Sequence, residues 1–161
     1  MSPRQIAHIA LLAALYVVLG QVVRFIPNPM VPGAIIALNM VVVVVAGILL
    51  GPVPGALVGL VGTLLNAISP AGNPFERAAI IPHTIMGAAA GWARGAPVVL
   101  AALTIIVGHA LNILAFVILR LLPANQVTAT VFSVGLLLEI VIDVVVISIL
   151  VPLLRPLIRS S

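Results

Sequence analysis

Seven polar or ionisable residues lie inside otherwise apolar stretches of this 161-residue chain. His109 and Asn112 are three residues apart, and Glu139 and Asp143 are four apart, spacings that place each pair on one helical face. An ionisable group in an apolar environment is costly and usually faces a bundle interior, a cavity or a partner. The pattern predicts a hydrogen-bonding pocket for a small molecule, and its candidate residues are Asn39, Asn66, His83, His109, Asn112 and Glu139.

Each candidate also has a structural interpretation. Asn39 and Asn66 are of a type that often joins two membrane helices by hydrogen bonds. His83 follows Pro82 and could satisfy backbone groups that the proline frees. His109 and Glu139 could form a buried pair, and Asp143 could pair with an Arg or face a partner subunit.

The composition predicts an integral membrane protein. The chain is 63% hydrophobic and 6% charged, and apolar runs of about 18 or more residues are typical of membrane-spanning helices. The net charge of +4 comes from seven Arg and three acidic residues, and the Arg lie mostly at the ends of apolar runs, which indicates membrane-flanking charge and no nucleic-acid partner. The absence of Cys excludes thiolate metal sites and nucleophiles.

Proline, glycine and arginine breaks divide the chain into six apolar segments, which predict an all-α bundle of six transmembrane helices in one domain, residues 1–161. The third and fourth segments are short for a bilayer of about 30 Å. An even number of spans puts both termini on one side, and a faint excess of Arg favours the cytoplasm. The expected helices are approximately 4–24, 34–50, 54–68, 76–94, 97–120 and 125–154.

Small residues recur at four-residue spacing, which gives flat helix faces that allow close backbone approach. For the glycines we expect packing within the bundle. Ala10 and Ala14, in the first helix, could instead dock a separate membrane subunit. The glycine series comprises Gly47, Gly51, Gly55, Gly59, Gly87, Gly91 and Gly95.

These motifs occur in an order that resembles the substrate-binding S components of energy-coupling factor (ECF) vitamin transporters. Ala10 and Ala14 form an Ala-x-x-x-Ala motif in the first helix, and a long loop leads to a second helix. That helix ends in a Gly-Pro-x-x-Gly turn at 51–55, followed by Gly59 and a glycine-rich fourth helix at 87–91. The resemblance covers nearly the whole chain.

The resemblance implies a subunit that captures a vitamin or related micronutrient outside the cell. Delivery would then require a transmembrane coupling subunit and two ATPases. This chain has no Gly-x-x-x-x-Gly-Lys-Ser/Thr phosphate loop and no Lys, so ATP hydrolysis is expected on a partner. We expect neither an enzyme nor a bound cofactor. Nickel and cobalt S components have a histidine close behind the initiator methionine, whereas Ser2 and Pro3 follow Met1 here, so a metal cargo is disfavoured.

Two loops contain aromatic residues that could cover a heterocyclic cargo. Phe25 begins the proline-rich first loop, and Phe75 lies in the loop before the fourth predicted helix. Both could equally be anchors at the membrane interface.

Other classes of function stay open. A proton-coupled secondary transporter working as a homodimer would also use membrane-embedded Glu139, Asp143 and His109. A membrane scaffold subunit without cargo is a further alternative. An intramembrane enzyme is disfavoured because Ser133 and Ser148 have no helical His neighbour and no zinc-protease motif occurs.

Overall fold

The computed structural model describes residues 1–27, 35–70, 72–122 and 125–159, with the side chains of 126–133 and 159 outside the description. Within these ranges every regular element is a helix, and a single antiparallel bridge joins Pro27 to Ile35. The helices are α1 (Pro3–Val23), α2 (Asn39–Leu50), α3 (Pro52–Ile68), α4 (Pro74–Ala78), α5 (Ile80–Trp92), α6 (Val98–Ala102), α7 (Ile105–Ile118) and α8 (Gln126–Arg159). A 3₁₀ turn, Ala93–Gly95, follows α5.

The central element is α2. Ten consecutive residues, Asn39–Ile48, are buried, and the helix packs against α1, α3, α5 and α8. A helix that is apolar on all sides is expected to be surrounded by other helices, and the valine run at 41–45 meets that condition. The helices α1, α3, α5 and α8 therefore surround α2.

The turn between α2 and α3 depends on Gly51. Its φ is 105°, a left-handed value that favours glycine, and Pro52 then starts α3 at a position where its missing N–H costs nothing. The Arg94 guanidinium lies beside the turn, 2.8 Å from where a Cβ on Gly51 would stand. This turn reverses the chain so that α3 packs against α2.

Glycines let α3 and α5 approach until their backbones touch. A Cβ on Gly87 would contact the carbonyl oxygen of Gly55, and a Cβ on Gly59 would contact the carbonyl oxygen of His83. Gly47 and Gly91 make similar close contacts with α5 and with Pro52. The expected packing of these five glycines within the bundle is confirmed, whereas Gly95 has no atom within 4 Å of its ideal Cβ position.

Several helix bounds differ from the expected ones. The second helix begins at Asn39, although its apolar run starts at Ala34, which lies outside the described residues. The fourth predicted helix is divided into α4 and α5, and the fifth into α6 and α7. Asn73 caps α4 by accepting from the backbone N–H groups of Phe75 and Glu76, which makes α4 a separate turn of helix.

Three helical segments of the described chain are long and apolar enough to cross a membrane: Pro3–Val23, Val98–Ile118 and Val134–Ile158. The helices α2 and α3 are apolar but shorter, with 12 and 17 residues. At about 1.5 Å per residue, α2 covers roughly 18 Å, well below the hydrocarbon thickness. The helical membrane architecture is therefore supported by three long spans and by a core of shorter buried helices.

Candidate functional site

All seven polar residues singled out in the sequence are buried, together with Thr63. They come from five helices, α2, α3, α5, α7 and α8, and form hydrogen-bonded groups across the helix interfaces. Burial of so many polar groups within an apolar bundle requires partners for their hydrogen bonds.

His83 connects four helices. The Tyr16 hydroxyl on α1 and the Thr63 hydroxyl on α3 each lie 2.9 Å from His83 Nδ1. Asn112 Nδ2 on α7 lies 3.1 Å from His83 Nε2, so both ring nitrogens have protein partners. His83 therefore fixes the orientation of the Asn112 amide and holds α1, α3, α5 and α7 in register.

Among the described residues, one polar atom of the Asn112 side chain has a hydrogen-bond partner and the other has none. Its nitrogen faces His83 and lies 3.9 Å from the Met40 sulfur, while its Oδ1 is buried without a hydrogen-bond donor among the described residues. Asn39, the first residue of α2, is 1% exposed, and its Oδ1 likewise lacks a donor. These two oxygens are acceptors that the described part of the chain leaves without a donor.

His109 pairs with Asp143 and not with Glu139. His109 Nε2 lies 3.4 Å from Asp143 Oδ2, whereas the other Asp143 oxygen is buried and has no hydrogen-bond partner in the described parts of the chain. The structure thus gives Asp143 a histidine partner on α7 in place of the Arg considered from the sequence. One ligand atom from each of His109, Glu139 and Asp143 lies within 4.8 Å of the others, and we call these three residues the acidic triad.

Glu139 connects α8 to the end of the first loop. Its Oε1 accepts from the backbone N–H of Ala37 at 2.6 Å, a contact between residues 102 positions apart. Nearby, the Ile36 N–H donates to the Ile26 carbonyl at 3.1 Å, which brings the two ends of the loop together. The base of the first loop is therefore attached to the same residue that belongs to the acidic triad.

Asn66 takes part in a contact between α1 and α3. Gln21 Nε2 donates to Asn66 Oδ1 at 3.3 Å and to Ser69 Oγ at 2.8 Å, and Gly20 packs against the Asn66 amide. This arrangement corresponds to the helix-joining interpretation of Asn66. Gln21, like Tyr16 and Thr63, is a polar partner that the sequence analysis missed, although a lone glutamine in an apolar helix is a readable signal.

The two loop aromatics have different surroundings. Phe25 is 73% exposed, and the Arg24 guanidinium lies 4.7 Å from its ring centroid. Phe75 packs edge-to-face against Phe116, with ring centroids 5.0 Å apart. Phe116 is one helical turn beyond Asn112, so Phe75 approaches the helix that carries two of the pocket candidates.

Ala10 and Ala14 lie together on an exposed strip of α1. The buried face of that helix consists of Ile9, Ala13, Tyr16, Gly20 and Val23. The two alanines are therefore not used for packing within the described bundle, and their small-residue face is open to the surroundings.

A family model for the S component of ECF-type riboflavin transporters matches residues 1–159. The chain belongs to this family. Neither the curated proteins nor the solved structures contain a match to the chain. Membership means that this S component is a substrate-binding subunit of a vitamin transporter and not an enzyme.

Proposed function

We propose that this S component captures a vitamin of the riboflavin type, or a related small molecule, from outside the cell and delivers it only together with a separate energising module. That module would consist of a transmembrane coupling subunit and ATPase subunits. The family supports this assignment, and so does the resemblance in the order of the small-residue motifs.

The observation that carries the proposal is the set of unsatisfied acceptors inside the bundle. Five buried polar atoms have no hydrogen-bond partner among the described residues: Asn39 Oδ1, Asn112 Oδ1, Asp143 Oδ1, Glu76 Oε2 and Ser148 Oγ. A buried polar atom without a partner costs about 1 to 3 kcal/mol, so a ligand that supplies donors would stabilise the three acceptors on α2, α7 and α8. The cargo is accordingly proposed to bind beside α2, α7 and α8.

In this proposal the remaining predicted site residues either contact the cargo, position the helices or lie at the entrance of the pocket. Glu139 would contact the cargo and also hold the first loop through its hydrogen bond with the Ala37 N–H. His109 would line the pocket beside Asn112. His83 and Asn66, whose side chains have protein partners, would position the neighbouring helices. Phe25 and Phe75 would flank the entrance.

Docking of the coupling subunit is proposed to use Ala10 and Ala14. Both alanines are exposed at small-residue spacing, the arrangement that lets another membrane helix approach closely. In this proposal the chain forms one transmembrane domain that spans the plasma membrane six times, with the shorter α2, α3 and α5 completed by flanking residues. Both termini would face the cytoplasm.

Reconstitution tests the need for a module. Proteoliposomes are prepared with the S component alone or with the coupling and ATPase subunits, and accumulation of radiolabelled riboflavin and other vitamins is measured with and without ATP. We expect accumulation only with the complete module and ATP, and none with an ATPase variant that lacks its phosphate-loop lysine. Accumulation by the chain alone under a proton gradient would instead identify the secondary transporter considered above.

A further inference from the structure

Glu76 is not one of the predicted pocket residues, yet its carboxyl group reaches the buried polar residues of the bundle from the short helix α4. That helix is held by its Asn73 cap and by the edge-to-face contact of Phe75 with an aromatic ring on α7. The Glu76 carboxyl group accepts from the Tyr16 hydroxyl and from the Asn66 amide, and its Oε2 is buried without a partner among the described residues. Glu76 therefore joins α4 to α1 and α3.

The direction of the hydrogen bonds around His83 follows from the Asn112 side. Asn112 Nδ2 can only donate, so His83 Nε2, at 3.1 Å, must accept, and the imidazole is neutral. A neutral histidine whose Nε2 accepts carries its proton on Nδ1, which then donates to the hydroxyl oxygens of Tyr16 and Thr63, each at 2.9 Å. The Tyr16 hydroxyl proton must therefore point to a different acceptor.

The Glu76 carboxyl group is that acceptor. A carboxylate can only accept, and hydrogen bonds to a charged acceptor are the stronger ones. On its other side, Asn66 Oδ1 accepts from Gln21 Nε2 at 3.3 Å, which leaves the Asn66 amide nitrogen to donate to Glu76. The chain of hydrogen bonds thus has one direction: Glu76 accepts at one end, and at the other end Asn112 Oδ1 is left without a donor among the described residues.

We propose that Glu76 is a positioning residue for the cargo pocket, which fixes the tautomer of His83 through Tyr16 and so turns the Asn112 carbonyl oxygen toward the cargo. Without an acceptor at position 76, the Tyr16 hydroxyl would donate to His83 Nδ1, and the imidazole proton would move to Nε2. The Asn112 amide would then turn over, because its oxygen is the atom that can accept from Nε2, and it would present a donor to the pocket.

This inference rests on the proposed function and deepens it. It requires the cargo group beside Asn112 to be a hydrogen-bond donor, such as the imide N–H or a ribityl hydroxyl of a riboflavin-type vitamin. The residue that selects for this donor is Glu76, which lies three hydrogen bonds away from the cargo, counted through Tyr16 and His83 to Asn112.

The tautomer of His83 is measured directly by NMR. Long-range ¹H–¹⁵N correlation spectra of the isotope-labelled full chain in detergent, without cargo, distinguish a protonated from an unprotonated ring nitrogen. The chain has three His, so the His83 signals are assigned by replacing each histidine in turn. We expect the proton on Nδ1 in the wild type and on Nε2 in Glu76→Leu. The matched control Arg77→Leu, at an exposed position of the same short helix, should keep the proton on Nδ1.

Riboflavin binding, followed by the quenching of its fluorescence, tests whether the effect passes through Asn112. Glu76→Leu should weaken binding about 5- to 150-fold, because Asn112 would then face a donor of the cargo with a donor of its own. In an Asn112→Ala background the same replacement should change the affinity by less than about twofold, since the amide that it turns over is absent. Arg77→Leu should bind riboflavin like the wild type.

A wild-type chain with the proton on Nε2, or an unchanged tautomer in Glu76→Leu, would overturn the positioning role of Glu76. Equal losses of affinity from Glu76→Leu in the wild-type and Asn112→Ala backgrounds would overturn it as well, because the effect would then not depend on Asn112. The tautomer is measured without cargo. A chain that shows both expected tautomers but does not bind riboflavin would therefore contradict the proposed substrate and leave the role of Glu76 in place.

Discussion

Replacement of Gly59 by Ala should disturb the pocket from a distance, through the backbone of α5. A Cβ at this position would lie 2.7 Å from the His83 carbonyl carbon and in contact with its oxygen. An ordinary van der Waals contact needs about 3.4 Å, so relief of the contact with the carbon alone moves α5 away from α3 by at least about 0.7 Å. Because the contact is between the new Cβ and the backbone carbonyl group of His83, no side-chain rotation can relieve it.

The expected loss follows from that displacement. The Thr63 Oγ1 to His83 Nδ1 distance is 2.9 Å, and a shift of about 0.7 Å lengthens it to about 3.6 Å, beyond hydrogen-bonding range. Overpacking costs about 1 to 3 kcal/mol, and the better helix propensity of Ala returns up to about 1 kcal/mol. For a chain of this size each net kcal/mol corresponds to a decrease of roughly 2 to 4 °C in the melting temperature.

The assay is thermal unfolding of the purified protein in detergent, followed by circular dichroism at 222 nm. The matched control is Gly95→Ala, because no atom lies within 4 Å of that ideal Cβ position and the melting temperature should stay unchanged. We also expect weaker vitamin binding in Gly59→Ala, since His83 would no longer hold Asn112 in place. Equal melting temperatures and equal affinities in the two variants would refute the close packing of α3 and α5 as the support of the pocket.

Two further predictions concern docking and orientation. Replacing both Ala10 and Ala14 by Leu should abolish module-dependent uptake, because bulky side chains prevent close helix approach, and should leave vitamin binding to the isolated chain intact. The control Leu15→Ile, at an exposed position of the same helix, should change neither uptake nor binding. Loss of folding in the double variant would contradict a docking role. The chain has no Cys, so a membrane-impermeant maleimide should label Asn73→Cys in intact cells and Ser2→Cys only after permeabilisation. Labelling of Ser2→Cys in intact cells would contradict a cytoplasmic N-terminus.

Much of the helical framework was predictable because apolar runs and their breaks have clear physical causes. The Gly51–Pro52 turn and the first helix follow directly from local sequence. The division between α6 and α7 does not, since Leu103 and Thr104 interrupt the helix without a Pro or Gly. There the Thr104 hydroxyl donates to the Ala101 carbonyl at 2.7 Å, a local bond that composition does not reveal.

Burial of the candidate polar residues was predicted correctly, whereas the sequence left their partners open. Glu139 and Asp143 lie on the same face of α8, so the position of α7 along α8 decides which of them pairs with His109, and a single sequence does not contain that position. Glu139 is instead joined to Ala37, through a backbone N–H that no side-chain pattern indicates. Partners such as these depend on tertiary packing, whereas burial depends on the cost of polar groups in lipid.

The central claim is that the isolated chain binds one small molecule beside Asn112. Native mass spectrometry of the detergent-solubilised protein, after incubation with a mixture of vitamins, measures this directly for the wild-type chain and for Asn112→Ala. Asn125→Ala, an exposed asparagine just before α8, is the control. We predict a 1:1 complex in the wild type and the control, and about 5- to 150-fold weaker binding in Asn112→Ala, because its buried amide loses a ligand hydrogen bond. Equal affinity in all three proteins, or no complex with the chain while the complete transporter accumulates the same vitamins, would contradict the account.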